Sequence, residues 1–226
     1  MEPHRIPSVP DSMYYIPNFI SEEEETSILN KIPQNHWITL THRRLQAVPA
    51  KLTATNTLIT STPLPPYLTS PILPRFTDLD IFSGAPHGVN HCLINEYLPG
   101  QGIMPHEDGA AYHPVVATVS LGGTVVLDVV EKGCEGARKW RILQEPRSLL
   151  VTMGEAYTET LHGIQEVRED CDLNAETVAN WGLLGDREVF VASGGVNERT
   201  TRISLTYRDV KKVSTIGSKI FGRGKT

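Results

Sequence analysis

From residue 89 onward the chain alternates between apolar and polar positions in short runs broken by turn residues, the pattern of strands packed on one face. The runs cover residues 91–98, 103–106, 115–121, 124–130, 141–144, 148–153, 157–161 and 201–208. Pro99-Gly100-Gln101-Gly102 separates the first two, and Gly122-Gly123 is a hairpin signal further along. Short strands at this spacing predict a mainly β (α+β) fold, a sandwich or jelly roll, and argue against a parallel α/β sheet.

Upstream the texture differs. Residues 13–20, Met13-Tyr14-Tyr15-Ile16-Pro17-Asn18-Phe19-Ile20, form an extended apolar segment suited to an early strand. Ser21 then opens a helix: its hydroxyl caps the amide of Glu24, whose carboxylate reaches back, while Glu22 to Glu25 favour the positive end of the helix dipole. Pro33 ends that helix near Ile32. Capping therefore accounts for the acidic run without any chemistry. Residues 37–40 and 42–46 predict strands joined by a polar turn, and the prolines between residues 62 and 76 predict a short interrupted helix.

Residues 163–200 break the strand pattern. They hold an acidic stretch at 166–172, a short helix predicted at 175–181 and a strand predicted at 189–191, with Gly194-Gly195 as the exit turn. The chain accordingly divides into an N-terminal extension, 1–88, supplying a helix and strands; a core, 89–210, carrying the 163–200 insertion; and a basic tail, 211–226.

At 226 residues with 39% hydrophobic content, the chain is sized for one core. Cys92, Cys134 and Cys171 are an odd set without a C-x-x-C pair, which argues against a disulfide scaffold or structural zinc and points to a reducing compartment, cytoplasm or nucleus. No signal-peptide core follows Met1, and no apolar run reaches the roughly 18 residues of a membrane span, so a soluble protein without a membrane anchor is expected; a monomer is the expected state, though no residue pattern specifies it. The net charge of −5 is uneven: six basic residues face eleven acidic ones over residues 1–127, seven face thirteen over 128–188, and eight face two over 189–226. A basic end is either solvated or set against phosphate. Arg43 and Arg44, beside Trp37 and His36, leave a similar choice between a solvated hairpin and a phosphate-gripping lip.

Candidate chemistry centres on Pro105-His106-Glu107-Asp108-Gly109, because residues two apart share one face of a strand and His106 and Asp108 then offer two adjacent corners of a metal site. His162, at the end of an apolar strand with Gly163 behind it, is the natural third ligand of a two-His-one-carboxylate triad, which leaves positions open on ferrous iron. In the last strand, period two puts Arg202, Ser204, Thr206 and Arg208 on one face and Ile203, Leu205 and Tyr207 on the other. Buried arginines need partners, and the chain has no comparable inward row of carboxylates, so an anionic ligand is the economical one. Asn95 and Tyr97 share a face and supply an amide and a phenol suited to carboxylate oxygens. Each piece alone has a plainer reading, a satisfied core histidine or an amphipathic strand meeting water.

Together, Asn95-x-Tyr97, His106-x-Asp108, His162-Gly163-Ile164 and Arg202-x-Ser204-x-Thr206-x-Arg208 occur in an order that resembles the AlkB group of Fe(II)- and 2-oxoglutarate-dependent dioxygenases. The likeness covers residues 89–208, with a weaker one over residues 14–20. The wording from Asn95 to Gly100 and from Gly102 to Gly109 is most similar to the sixth eukaryotic branch of that group. The resemblance implies a double-stranded β-helix with extra N-terminal elements. It also implies iron ligands His106, Asp108 and His162, a distal 2-oxoglutarate carboxylate held by Tyr97 and Arg202, and the carboxylate end next to iron held by Asn95 and Arg208. Ser204 stands in the cosubstrate pocket where some members have asparagine. O₂ is the co-reactant, and a methylated or alkylated nucleic-acid base, single-stranded or flipped out, is the substrate the likeness implies. The acidic balance keeps two other readings open: an oxygenase acting on a protein side chain or small metabolite, and a jelly-roll binding protein without turnover.

Overall fold

The computed structural model describes residues 1–60, 62–133 and 136–215; Cys134 and the tail positions Lys219, Arg223 and Lys225 lie outside them. The N-terminal part runs β1 (Met13–Ile16), α1 (Glu22–Lys31), β2 (Ile38–Thr39), β3 (Arg44–Val48), β4 (Thr57–Ile59), α2 (Pro66–Thr69) and α3 (Ile72–Asp78). The core follows with β5 (His91–Tyr97), β6 (Ile103–His106), β7 (Tyr112–Gly122), β8 (Val125–Glu131), β9 (Lys139–Gln144), β10 (Leu149–Met153), α4 (Gly154–Thr158) and β11 (Thr160–Ile164). β12 (Glu169–Asp170), α5 (Arg187–Ala192) and β13 (Asn197–Glu198) belong to the insertion, and β14 (Arg202–Val210) and β15 (Lys212–Ser214) close the chain's described part.

These strands form the jelly roll that the spacing predicts. A seven-stranded sheet, in the order β1-β10-β7-β14-β5-β3-β2, faces a four-stranded sheet, β6-β11-β8-β9. β14 lies between β5 and β7, with Ser204 opposite Asn95 on one side and Ser120 on the other, and Arg202 opposite Tyr97. Period two then sorts the side chains: Leu205 and Tyr207, with Ile94, Val119 and Val151, turn to the outer face of the larger sheet, where Ile28, Leu68, Ile72 and Phe76 of the helices cover them. Phe76 meets Tyr207 edge to face at 5.3 Å between ring centroids. Burial of such side chains contributes about 1.5–3 kcal/mol each and clamps the N-terminal helices to the sheet that carries the site.

Ser21 caps α1 as its sequence dictates, accepting from Glu24 N while the Glu24 carboxylate accepts from Ser21 N. The extension is woven into the core, since β1 pairs with β10 and β3 pairs with β5. The insertion covers the outer face of the smaller sheet, where Leu173, Val178 and Phe190 pack on Val126 and Leu143. Buried Arg199 holds Asp170 at 2.6 Å, and Asn180 bonds both backbone groups of Leu143. Most of the insertion therefore lies outside the space between the two sheets, while its first residues return there: Ile164 lines the cleft, and Glu166 accepts from His42 Nδ1 at 2.8 Å.

Several local expectations are corrected. Residues 189–191 lie in helix α5 and form no strand, with Phe190 buried and Val189 and Val191 exposed. Residues 175–181 are turns that lead into a single 3-10 turn at Trp181–Leu183. The strand expected at 157–161 starts only at Thr160, because α4 occupies the residues before it. The start of the basic end is paired, with Lys212–Ser214 running parallel to β4. Among the described residues no helix is long and apolar enough to cross a membrane.

Candidate metal centre and anion pocket

β6 and β11 pair so that His106 and His162 are direct partners, their rings 4.4 Å apart between centroids. That closeness depends on Gly163: a Cβ there would meet the backbone nitrogen of Pro105 at 2.9 Å and the carbonyl oxygen of Ile103 at 3.0 Å. The glycine behind His162 thus sets the strand separation that brings the two imidazoles together. Asp108 comes from the segment after β6 and not from the strand itself, yet one ligand atom from each of His106, Asp108 and His162 lies within 4.8 Å of the others.

The donor chemistry suits a divalent ion. His106 Nδ1 lies 2.9 Å from the carbonyl oxygen of Met104. With that nitrogen donating, the lone pair sits on Nε2, the usual arrangement for a metal-bound imidazole. Burial pulls the pKa of His162 down to about 4, against the opposing pull of Asp108, so its ring is neutral and able to ligate. Burial pushes the Asp108 carboxyl up, but the charge of Arg208, with its hydrogen bond, leads the opposing influences and leaves the group below its usual range. The carboxylate is therefore ionised and able to ligate a cation.

Deeper in, the pocket is cationic. It has a volume of about 100 Å³ and is walled by Asn95, Tyr97, Ser204, Thr206 and the two arginines of β14. Arg202 and Arg208 are 3% and 6% exposed. Arg208 pairs with Asp108, the carboxylate expected beside His106, a partnership that strand periodicity does not reveal. Arg202 has none. Its Nη2 donates only to neutral oxygens, Ser120 Oγ and Gln144 Oε1, each at 3.0 Å, and its Nε has no partner among the described residues. Burial lowers its pKa to about 10, which still leaves it charged at neutral pH. A buried guanidinium with neutral partners and a free donor is the cradle a carboxylate would complete.

Other residues at the site carry no motif. Gln144 follows Ile142 on the inward face of β9, a polar end to an apolar row that marks it as a partner for something buried. Tyr157 Oη donates to the Gly109 carbonyl at 3.1 Å and steadies the loop after Asp108, without any sequence signal. Arg43 also lines this pocket. Its neighbour Arg44 is held by both oxygens of Glu96, at 2.5 and 2.7 Å, and lies over the Trp37 ring at 4.5 Å, so it is not a free phosphate grip.

The jelly roll, the triad and the anion pocket define a class, and the comparisons agree. Residues 12–208 match the family described as the 2OG-Fe(II) oxygenase superfamily, and the chain belongs to it. It is a 2-oxoglutarate-dependent dioxygenase, and Fe(II), 2-oxoglutarate and O₂ come with that membership. More particularly, it is 35% identical to the Danio rerio protein named "Probable RNA/DNA demethylase ALKBH6", over 94% of this chain and 92% of that one. It is 28% identical to the Mus musculus "tRNA (carboxymethyluridine(34)-5-O)-methyltransferase ALKBH8", over 91% of this chain but 31% of that longer protein. Among solved structures, that of OsALKBH1 aligns over 89% of this chain and 98% of its own with a TM-score of 0.57 and 15% identity, a likeness of fold.

Proposed function

We propose that this dioxygenase removes a methyl or other alkyl group from a nucleic-acid base by oxidation. The observation that carries the reading is identity at 35% along nearly the whole length of a relative named as a probable RNA/DNA demethylase. In this reading His106, Asp108 and His162 hold Fe(II). Arg202 and Tyr97 take the distal carboxylate of 2-oxoglutarate, and Asn95 and Arg208 serve the end nearer the metal, with Ser204 on the pocket wall between them. Iron and cosubstrate supply the oxidation: O₂ and 2-oxoglutarate yield CO₂ and succinate, and a C–H bond of the substrate is hydroxylated. On an N-methyl group the product releases formaldehyde. The protein's share is to bind and orient, and to keep the substrate carbon beside the open side of the metal.

The base is reached single-stranded or flipped out, since its reactive carbon is inaccessible within a duplex stack. We place the protein in the cytoplasm or nucleus as a monomer on the same footing. One observation favours a protein or metabolite substrate: the net charge is −5, and Glu96 already engages Arg44, one of the two arginines of the hairpin beside the cleft. Succinate and formaldehyde release, measured over a panel of methylated single-stranded oligonucleotides, decides between them. Stimulation by a methylated strand and not by its unmodified twin supports the proposal. If no oligonucleotide stimulates release but a peptide or metabolite does, the second reading replaces it.

A further inference from the structure

The β2–β3 hairpin sends one side chain into the metal pocket. Arg43 immediately precedes β3, which pairs with β5 with Leu45 opposite Asn95, and its Nε–H donates to Asn95 Oδ1 at 3.2 Å. No other hydrogen bond to the Asn95 side chain occurs among the described residues, although the residue is only 6% exposed. An amide offers one acceptor and one pair of donors. With Oδ1 held by Arg43, the orientation is fixed and the NH₂ group is the end left for a ligand, which suits a carboxylate. The reverse orientation would turn an acceptor toward an anion.

Arg43 also stands at a boundary. It is the one residue shared by the metal pocket and an outer cleft bounded by Thr39, Arg44, Glu96, Leu98 and Gln101. Arg44 beside it is committed to Glu96, whereas Arg43 has the Asn95 amide. The two arginines of the hairpin thus do different work despite their adjacency.

We propose that Arg43 is a positioning residue for 2-oxoglutarate: it orients the Asn95 amide to donate to the cosubstrate and ties the hairpin at the outer cleft to cosubstrate loading. The proposal rests on the assignment of Asn95 to the cosubstrate made above. It predicts that the Nε–H donor matters and that the positive charge by itself does not.

The test is calorimetric titration of 2-oxoglutarate into the Mn(II)-loaded full-length protein, which reads binding without turnover. Arg43→Met should weaken binding about five- to thirtyfold, the scale of one charge-assisted hydrogen bond. Arg43→Lys should weaken it equally, because an ammonium keeps the charge but lacks the Nε–H of the planar fork. In an Asn95→Ala background, Arg43→Met should add no further loss, since the arginine acts through the amide. Parental affinity in Arg43→Met, full rescue by Arg43→Lys, or additive losses in the double variant would each overturn the proposal, the last two in favour of direct attraction to the anion. Parental affinity in Asn95→Ala alone would instead overturn the assignment of Asn95, a separate failure. The hairpin is partly exposed, and a melting midpoint within a few degrees of the parent for both Arg43 variants ties a loss of affinity to the missing donor. A midpoint collapse in both would make Arg43 a fold residue and overturn the positioning role.

Discussion

Asp108 and Arg208 meet as a buried ion pair at the metal centre, one hundred residues apart in sequence and with side chains only 4% and 7% exposed. On the proposed assignment the carboxylate has two duties, as a metal ligand and as counter-charge to a guanidinium that has lost its water. The three ligands should then differ when replaced. His106→Ala, Asp108→Ala and His162→Ala are each expected to abolish metal-dependent succinate release. Only Asp108→Ala should also lower the stability of the metal-free protein, by about 3–5 kcal/mol, because it leaves Arg208 buried and unpaired. Urea denaturation of the metal-free variants checks this. Equal stabilities for His106→Ala and Asp108→Ala would mean that the pair contributes nothing to the fold.

Gly163 gives a test of geometry that touches no ligand. The methyl group of Gly163→Ala would press on the backbone of Ile103 and Pro105, atoms that cannot swing aside as a flexible side chain can. β6 and β11 must part, and His106 and His162 with them. Metal affinity should fall about ten- to a hundredfold, the range seen when support around ligands is disturbed. Titration with Mn(II) reads the effect, and parental affinity would show that the two strands tolerate the wider spacing.

Arg202 should show function and stability moving in opposite directions. Among the described residues its buried charge has only Ser120 and Gln144 as hydrogen-bonding partners. Replacing such a group with an apolar one of similar length removes a desolvation cost. Arg202→Met is therefore expected to leave the ligand-free protein as stable as the parent or more so, while 2-oxoglutarate binding weakens by about 2–4 kcal/mol through loss of a charge-assisted, bidentate contact. Arg202→Lys should recover only part of that loss. Unchanged cosubstrate affinity in both variants would remove Arg202 from the pocket.

His91 connects pH to the fold. The ring is 2% exposed, one nitrogen lies 3.1 Å from the Ala50 carbonyl, and burial with help from Arg208 lowers its pKa to about 4. The unfolded chain then binds a proton below about pH 6.5 that the folded chain refuses until pH 4 is approached. Stability is lost as pH falls through that window, amounting to about 2 kcal/mol between about pH 7 and pH 5 from this residue. His91→Gln should flatten the pH dependence by that amount. Matching slopes in denaturation series at the two pH values would assign the effect to other groups.

How much of this was legible in the chain depended on periodicity. The alternation in 202–208 needed no partner to be read, and β14 places those four polar residues in the pocket and Ile203, Leu205 and Tyr207 on its other side. Gly163 was legible as a device for close approach. The partnership of Asp108 with Arg208 was not, since Asp108 lies beyond its strand and no local rule joins segments a hundred residues apart. Val189-Phe190-Val191 has strong strand propensity, but only Phe190 finds apolar neighbours, and the segment turns helical around that single anchor. The paired arginines were the hardest to read. Their roles follow from the register of β3 on β5, which sets Arg44 opposite Glu96 and brings Arg43 within reach of Asn95.

That register also changes what binding to a nucleic acid should look like. Arg44 is neutralised by Glu96 and stacked on Trp37, so its charge is already spent within the protein. If a single strand is the substrate, Arg44→Ala should alter the slope of log K against log salt by much less than the roughly 0.7 expected for a true phosphate contact. Glu96→Gln makes the opposite prediction: with its counter-charge gone, the guanidinium over Trp37 becomes available, and the slope should steepen toward that full increment. Affinity should rise alike for methylated and unmodified strands, because phosphate contacts position a strand without reading its bases. Fluorescence anisotropy with labelled oligonucleotides over a salt series measures both slopes. A full loss of slope in Arg44→Ala would show that the strand displaces Glu96, and would restore Arg44 as a phosphate contact.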